Sequence, residues 1–475
     1  MKVFFSITLF LFLSLTARAE KPMNFILILV DDLGWMDLSC QGSRYYETPN
    51  LDRLAAQGMR FTNAYAACAV CSPTRAAIQT GRYPARLGVT DWIRSRFQGG
   101  GIPLDKKNPS GFTGGSRKFL VPKNALWMES AEITIAELLK PAGYVSCHIG
   151  KWHLGADDWY PQKQGYDFNY GGCDYGQPPS YFDPYNKPTH RHAMIRAGIP
   201  HLPGRKPGQY LSDREAEEAV AFIEKHKDKP FFLNMDNYAV HTPIQAKAEV
   251  TAKYENKTKT LQKNAKYAAM VESVDDCAGR IMAALEKHGI ADRTMIIFTS
   301  DNGGLRGPTN NAPLRSGKGY AYEGGIRVPL LIKWPGVVKP GTTSAEPVTS
   351  VDYFPTIAEV TGLDLPEGRD IDGLSLAKHL SSQGKQKLSR DAIYWHFPHY
   401  RHNPGPYSII REGDWKLIKF YEGPMELFDL NKDIGETKNL AAAMPGKVKE
   451  LESRLLAHLK SVGAKMPKLN PAAKN

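Results

Sequence analysis

Cysteine is scarce in this chain: Cys40, Cys68, Cys71, Cys147, Cys173 and Cys277 are the only six among 475 residues. They are too scattered for the disulfide framework of a small secreted domain, and no pair has the spacing of a metal site. Cys68 and Cys71 form a C-x-x-C, which in isolation admits a redox role. Long apolar runs are missing beyond the first residues, so no later stretch is long enough to span a bilayer as a helix. Zinc-finger spacing, a basic arm and an aromatic RNA-binding signature are all lacking, so nucleic acid is not an expected partner. No internal repeat is visible. Charge of one sign is not concentrated either. The net +12 is spread along the chain, as suits a solvated surface with some attraction for anions.

What is present is an ordinary globular composition, with 42% hydrophobic, 10% aromatic and 23% charged side chains, which excludes wholesale disorder. The 42 glycines and 33 prolines favour long ordered loops over a helical bundle. Residues 1–19 read as a secretory signal: Met1-Lys2, the apolar run FFSITLFLFLSL, then Ala17-Arg18-Ala19 before Glu20. Export without a stable membrane anchor is expected, to the periplasm or the extracellular space in a bacterium. No cysteine follows the cleavage site to take a lipid.

Phe25–Val30 (FILILV) and Met295–Thr299 (MIIFT) are continuous apolar runs, the pattern of strands buried on both faces of a parallel sheet. Further strands are expected at Phe61–Ala67, Tyr144–Ile149, Phe231–Met235 and Val328–Lys333. Helices are expected at Ile133–Leu139 and between Tyr267 and His288, where Val271, Val274, Ile281 and Leu285 recur at helical spacing. The alternation predicts an α/β catalytic domain over residues 20–375 with a mostly parallel sheet flanked by helices. AIYWHFP, YSIIREGDWKLIKF and MELFDL, with an amphipathic helix at Lys447–Leu459, predict a smaller C-terminal α+β subdomain over residues 376–475 containing a short antiparallel sheet. The irregular stretches Phe97–Pro122 and Tyr160–Tyr210 are where such folds place substrate loops.

Both buried runs end in hard oxygen donors, Asp31-Asp32 and Asp301-Asn302. Brought together at the carboxyl ends of parallel strands, they would suit Ca²⁺ or Mg²⁺ rather than zinc. Either pair alone would serve equally as a turn or cap. Cys71-Ser72-Pro73-Thr74-Arg75 is more specific, and Thr80-Gly81-Arg82 follows it.

This stretch resembles the C-x-P-x-R signature of the formylglycine-dependent sulfatases, with its downstream T-G-R. The resemblance continues through Phe25–Gly34, Gly150-Lys151-Trp152-His153-Leu154-Gly155, His241-Thr242-Pro243, Ser300-Asp301-Asn302-Gly303, Gly317-Lys318-Gly319 and Tyr322-Glu323-Gly324-Gly325. It implies the alkaline-phosphatase-like fold and conversion of Cys71 to Cα-formylglycine by a dedicated maturase that reads Pro73 and Arg75. It further implies one Ca²⁺ bound by Asp31, Asp32, Asp301, Asn302 and the modified Cys71. Arg75 would hold the hydrated aldehyde and the carboxylates, and Lys151 and Lys318 the sulfate. His241 and Lys318 would protonate the leaving alkoxide, Asp301 would accept the attacking hydroxyl's proton, and His153 would deprotonate the second hydroxyl.

The blocks are most similar to the branch of arylsulfatase A and N-acetylgalactosamine-6-sulfatase, which implies a sulfated carbohydrate of galactose or N-acetylgalactosamine type. Two rival readings stand beside this one: a phosphonate or phosphate ester hydrolase of the same superfamily, and a catalytically silent sulfated-glycan-binding protein. The first would normally need a second metal cluster, which is not evident, and the second predicts a lost motif residue. Asp174 is a weak candidate for a further sulfate contact. His396, His399, Arg401 and His402 are candidates either for reaching a sugar or for packing the C-terminal piece onto the main domain. His148 is expected to be structural, and Asn256-Lys257-Thr258 is a glycosylation sequon.

Overall fold

The computed structural model describes residues 22–203 and 206–473; the expected export segment, residues 1–19, lies outside them. The first strand, Asn24–Val30, is buried along its whole length. It lies between Phe231–Asn237 and Thr294–Ser300, parallel to both. Successive side chains of a strand point to opposite faces, so this strand feeds two cores. Ile26, Ile28 and Val30 pack with Val274 and Ile281 of the helix Ala265–Lys287 on one face. Phe25, Leu27 and Leu29 pack with Ala76 and Ile78 of the helix Cys71–Thr80, and with Phe354 and Ile357, on the other. A continuous apolar run is what two covered faces demand. Each such side chain contributes about 1.5–3 kcal/mol by leaving water.

The full sheet has eight strands in the order Thr342–Ser344, Met59–Phe61, Leu330–Lys333, Thr294–Ser300, Asn24–Val30, Phe231–Asn237, Val145–Gly150 and Phe168–Tyr170. Only Leu330–Lys333 runs against the rest. The expected strand at Phe61–Ala67 is divided. Met59–Phe61 joins the main sheet, whereas Ala64–Tyr65 pairs with Val348–Thr349 in a separate two-stranded piece.

Ile393–Phe397, Tyr407–Glu412, Trp415–Phe420 and Glu426–Asp429 form a second, antiparallel sheet in chain order. Ile410, Leu417 and Leu427 on one of its faces meet Leu451, Leu455 and Leu459 of the helix Pro445–Ser461. Ile409, Ile418 and Phe428 on the other meet Tyr65, Val70 and Ile326 of the main domain. The small sheet is therefore wedged between its own helix and the segment that precedes Cys71. No helix among the described residues is long and apolar enough to cross a membrane.

Candidate active site

Four neighbouring parallel strands end at the same edge of the sheet, at Ser300, Val30, Asn237 and Gly150. The chain beyond each end delivers the site. Asp301-Asn302 and Asp31-Asp32 follow two of them, Lys151 and His153 a third, and His241 the fourth. Crevices at the carboxyl edge of such sheets are where these folds bind ligands. Cys71 enters from the side as the first residue of a fully buried helix. Its approach is fixed by Thr74, whose Oγ1 accepts from the Cys68 N–H at 3.0 Å. The Cys68/Cys71 redox alternative finds no disulfide, since all six cysteines are free.

Arg75 binds the pieces together. Its Nε donates to Asp301 Oδ2 at 2.9 Å, and its Nη1 to the Lys151 carbonyl at 2.7 Å and to Asp236 Oδ2 at 3.2 Å. Burial works against its charge, but Asp301, Asp236 and Asp31 outweigh burial and raise its pKa. Lys151 Nζ sits 2.7 Å from Asp31 Oδ2, and Lys318 Nζ 2.6 Å from Asp32 Oδ1. Burial pushes the Asp31 carboxyl up, with Lys151 opposing. Burial pushes Asp32 in the same direction, but there Lys318, His241 and Lys151 prevail and hold it below the usual carboxylate range.

The donors fit a hard divalent cation. Asn302 Oδ1 is buried without a hydrogen-bond partner, and so is Asp31 Oδ1, which has Arg75 Nη2 at 4.0 Å; such oxygens are costly unless something further donates to or coordinates them. Ligand atoms of Asp31, Asp32 and His241 lie within 4.8 Å of one another. Asp32 also adopts a left-handed backbone, with φ 62°. Such conformations gather at functional sites.

His153 has the same left-handed backbone, φ 59°, and its two nitrogens are distinguishable. Nε2 lies 2.6 Å from the Ile93 carbonyl, an atom that can only accept, so Nε2 carries the proton. Nδ1 is left with its lone pair facing Cys71 Sγ at 3.3 Å. Burial, Lys151 and Arg75 keep this imidazole neutral by lowering its pKa well below the ordinary value. His241 is pushed down to about 3 by burial and Lys318, with Asp32 opposing. Burial pushes the Cys71 thiol up, with Lys151 and Lys318 opposing.

A cavity of about 290 Å³ opens onto this cluster, lined by Cys71, His153, His241 and Lys318 at its base and by Trp92, Gln98, Gln177 and Arg401 above. Lys151 is fully buried behind them. Of the C-terminal candidates only Arg401 reaches the cavity. His396 is tied to Ser408 Oγ at 2.8 Å, His399 to Thr90 Oγ1 at 2.8 Å, and His402 stacks on Tyr320 at 3.9 Å. Asp174 does not line the cavity; its carboxylate accepts from the Arg96 backbone N–H at 2.9 Å. His148 is a buried structural residue, 2.9 Å from the Asn234 amide nitrogen. Asp236, which shares Arg75 with Asp301, is a site residue the sequence reading passes over. Its signal is an acid near the end of a strand otherwise read as core. Trp92, Gln98 and Gln177 carry no such signal.

Two ammonium groups beside a cluster of buried carboxylate oxygens suit an anionic group, and two histidines border the same cavity. Fold and site together define a hydrolase of anionic esters with the alkaline-phosphatase-like architecture. More particularly, the chain belongs to the sulfatase family, whose model matches residues 23–363, and it is a sulfuric ester hydrolase. A second model, described as N-sulphoglucosamine sulphohydrolase, C-terminal, matches residues 316–465. A sulfatase of Formosa agariphila is 33% identical over 90% of this chain and 86% of its own length. Human arylsulfatase A is 30% identical over 94% and 88% of the two chains, and human N-acetylgalactosamine-6-sulfatase 35% identical over 79% and 69%. The crystal structure of Ps i-CgsB in complex with k-i-k-neocarrahexaose superposes with a TM-score of 0.77 and 31% identity, covering 92% of this chain and 93% of that one. A phosphonate monoester hydrolase of Agrobacterium radiobacter, 22% identical with a TM-score of 0.66, shares the fold.

Proposed function

We propose that this protein is an exported sulfatase that removes sulfate from a galactose- or N-acetylgalactosamine-type carbohydrate. In this reading Cys71 is converted to Cα-formylglycine by a maturase, and Asp31, Asp32, Asp301 and Asn302 hold one Ca²⁺. The names of the relatives support the substrate class: one acts on an N-acetylgalactosamine sulfate, and another was crystallised with a neocarrahexaose. The composition of residues 1–19 supports export.

The observation that carries the reading is the His153 tautomer. A base with its lone pair 3.3 Å from the Cys71 side chain stands where a hydroxyl on that side chain must lose its proton. The unmodified thiol is a poor candidate for attack, since burial raises its pKa and disfavours the thiolate. A hydrated aldehyde at position 71 supplies two hydroxyls, one to attack sulfur and one whose deprotonation releases sulfate. Held by Asp31, Asp32, Asp301 and Asn302, the cation would supply charge neutralisation and Lewis acidity.

The remaining work belongs to the chain. Lys318 borders the cavity and meets the sulfate oxygens, while Lys151 acts from behind Asp31, so negative charge moving toward the leaving oxygen is stabilised. His241 and Lys318 flank Asp32 on the cavity side, where either can pass a proton to the departing alkoxide. Lys318 lowers the pKa of His241; a bound sulfate ester, being anionic, acts in the opposite direction. Arg75 keeps Asp301 and Asp236 in place throughout. The test is release of free sulfate from galactose and N-acetylgalactosamine monosulfates, before and after chelation and with Ca²⁺ restored. Calcium-restored release from at least one sugar is expected. Release insensitive to chelation, or confined to phosphonate esters, would overturn the reading.

A further inference from the structure

We propose that the catalytic cavity is the first of two adjoining subsites, and that the second is a cationic groove holding a sulfate or carboxylate on the neighbouring sugar of an oligosaccharide substrate. The inference rests on the sulfatase reading above and extends it from a monosaccharide unit to a chain.

A second concavity of about 320 Å³ lies against the first and shares Trp92 with it. The same segments wall both: Gln98 faces the catalytic cavity and Gly99 the groove, Arg401 the cavity and Tyr400 the groove. A ligand that leaves the first therefore passes Trp92 to enter the second. Arg94, Arg117 and Lys123 line the groove, and all three are exposed. Among the described residues none of the three, nor Arg401, has a side-chain ion pair. Their neighbours in the same insertion behave differently. Arg96 pairs with Asp157 at 2.5 Å and Lys106 with Asp158 at 2.5 Å. Asp91 is the acid in the groove lining; its Oδ1 is engaged by the Trp92 N–H at 2.8 Å, and Arg401 and Arg94 act on its charge from beyond ion-pair distance.

Like charges left unpaired around one cleft raise the local concentration of anions. Two of these cations stand against aromatic rings of the groove: the Arg94 guanidinium lies 5.6 Å from the Trp92 ring centre and that of Arg117 lies 4.3 Å from that of Tyr400. Apolar rings beside fixed cations suit a pyranose that carries an anionic substituent. An uncharged sugar would use the rings and leave the cations idle.

The test uses the full chain carrying Cys71→Ala, so that binding is measured without turnover. Calorimetry compares galactose 6-sulfate, a sulfated neocarrahexaose and a chondroitin sulfate hexasaccharide. At least one hexasaccharide is expected to bind about tenfold more tightly than the monosaccharide, with an affinity that falls as salt is raised. Preference for the neocarrahexaose assigns sulfate as the second anion, and preference for the chondroitin hexasaccharide admits carboxylate. Adding R94E, R117E and K123E should bring the hexasaccharide to within about threefold of the monosaccharide and flatten the salt dependence. Circular dichroism checks that the exposed substitutions leave the fold intact. Equal binding of all three probes, or a hexasaccharide affinity indifferent to the charge reversals, would overturn the proposal. Failure of the sulfatase reading would show separately, as absence of sulfate release by the unsubstituted protein.

Discussion

Arg75 is the residue on which the site's electrostatics turn. Asp31, Asp236 and Asp301 crowd the ends of adjacent strands, and the guanidinium is the buried cation that reaches all three. Removing one partner of a buried ion pair strands the others without compensation, at a cost of about 3–5 kcal/mol. Arg75→Ala is therefore expected to lower the unfolding free energy by that amount in denaturant titration, and a change below about 1 kcal/mol would refute the role. His241 and Lys318 invite a different comparison. If they protonate the leaving oxygen, His241→Ala should slow hydrolysis of an alkyl sugar sulfate by about 10²–10⁴-fold, because its alkoxide needs the acid. An aryl sulfate with a stable phenolate should slow far less. Equal losses on both substrates would mean that His241 only shapes the site.

Among the elements, the loops beyond the strands matter more than the strands. The Ser300-Asp301-Asn302-Gly303 turn passes so close to the Gly324 backbone that a Cβ on Gly303 would lie 1.8 Å from its carbonyl oxygen. The Gly303 N–H also donates to the Gly325 carbonyl at 2.9 Å. Gly303→Ala forces backbone to move on both sides, so Asp301 and Asn302 shift together. Overpacking of this kind costs about 1–3 kcal/mol. The substituted protein should melt earlier, and if the proposed Ca²⁺ site stabilises the parent, that gain should be mostly lost, read by thermal denaturation with and without the ion.

The same elements show what the sequence could and could not reveal. Asn24–Val30 and Thr294–Ser300 were legible because burial on two faces writes a continuous apolar run, and because each run stops at a polar pair, Asp31-Asp32 or Asp301-Asn302. The direction of Leu330–Lys333 leaves no local trace, and edge strands such as Phe168–Tyr170 are too short to announce themselves. Asp174 was misleading for the opposite reason. It follows the Gly150–Gly155 motif in sequence, yet Arg96 holds its carboxylate away from the cavity. The cavity walls, Trp92, Gln98 and Gln177, come from two distant insertions and become a surface only when the chain is folded.

At the scale of the whole molecule, the C-terminal sheet is fastened by a buried charge cluster as well as by apolar contact. Lys416 Nζ lies 3.0 Å from Glu323 Oε1 and 2.7 Å from Glu436 Oε1, all fully buried. Glu323 follows the Lys318 loop, so the small sheet and the active site share a support. Lys416→Ala is expected to destabilise the protein by about 3–5 kcal/mol and to raise KM together with the loss of stability. A variant of unchanged stability would show the cluster to be dispensable.

Folding also closes over Cys71, which is 3% exposed, so the proposed conversion would have to precede packing of the helix Cys71–Thr80. The most direct measurement is the mass of the Cys71 peptide from protein expressed with a maturase, taken alongside sulfate release. The account predicts a mass about 18 Da below that of the cysteine form, with release that Cys71→Ala abolishes. An unmodified thiol in protein that still cleaves sulfate esters would contradict it.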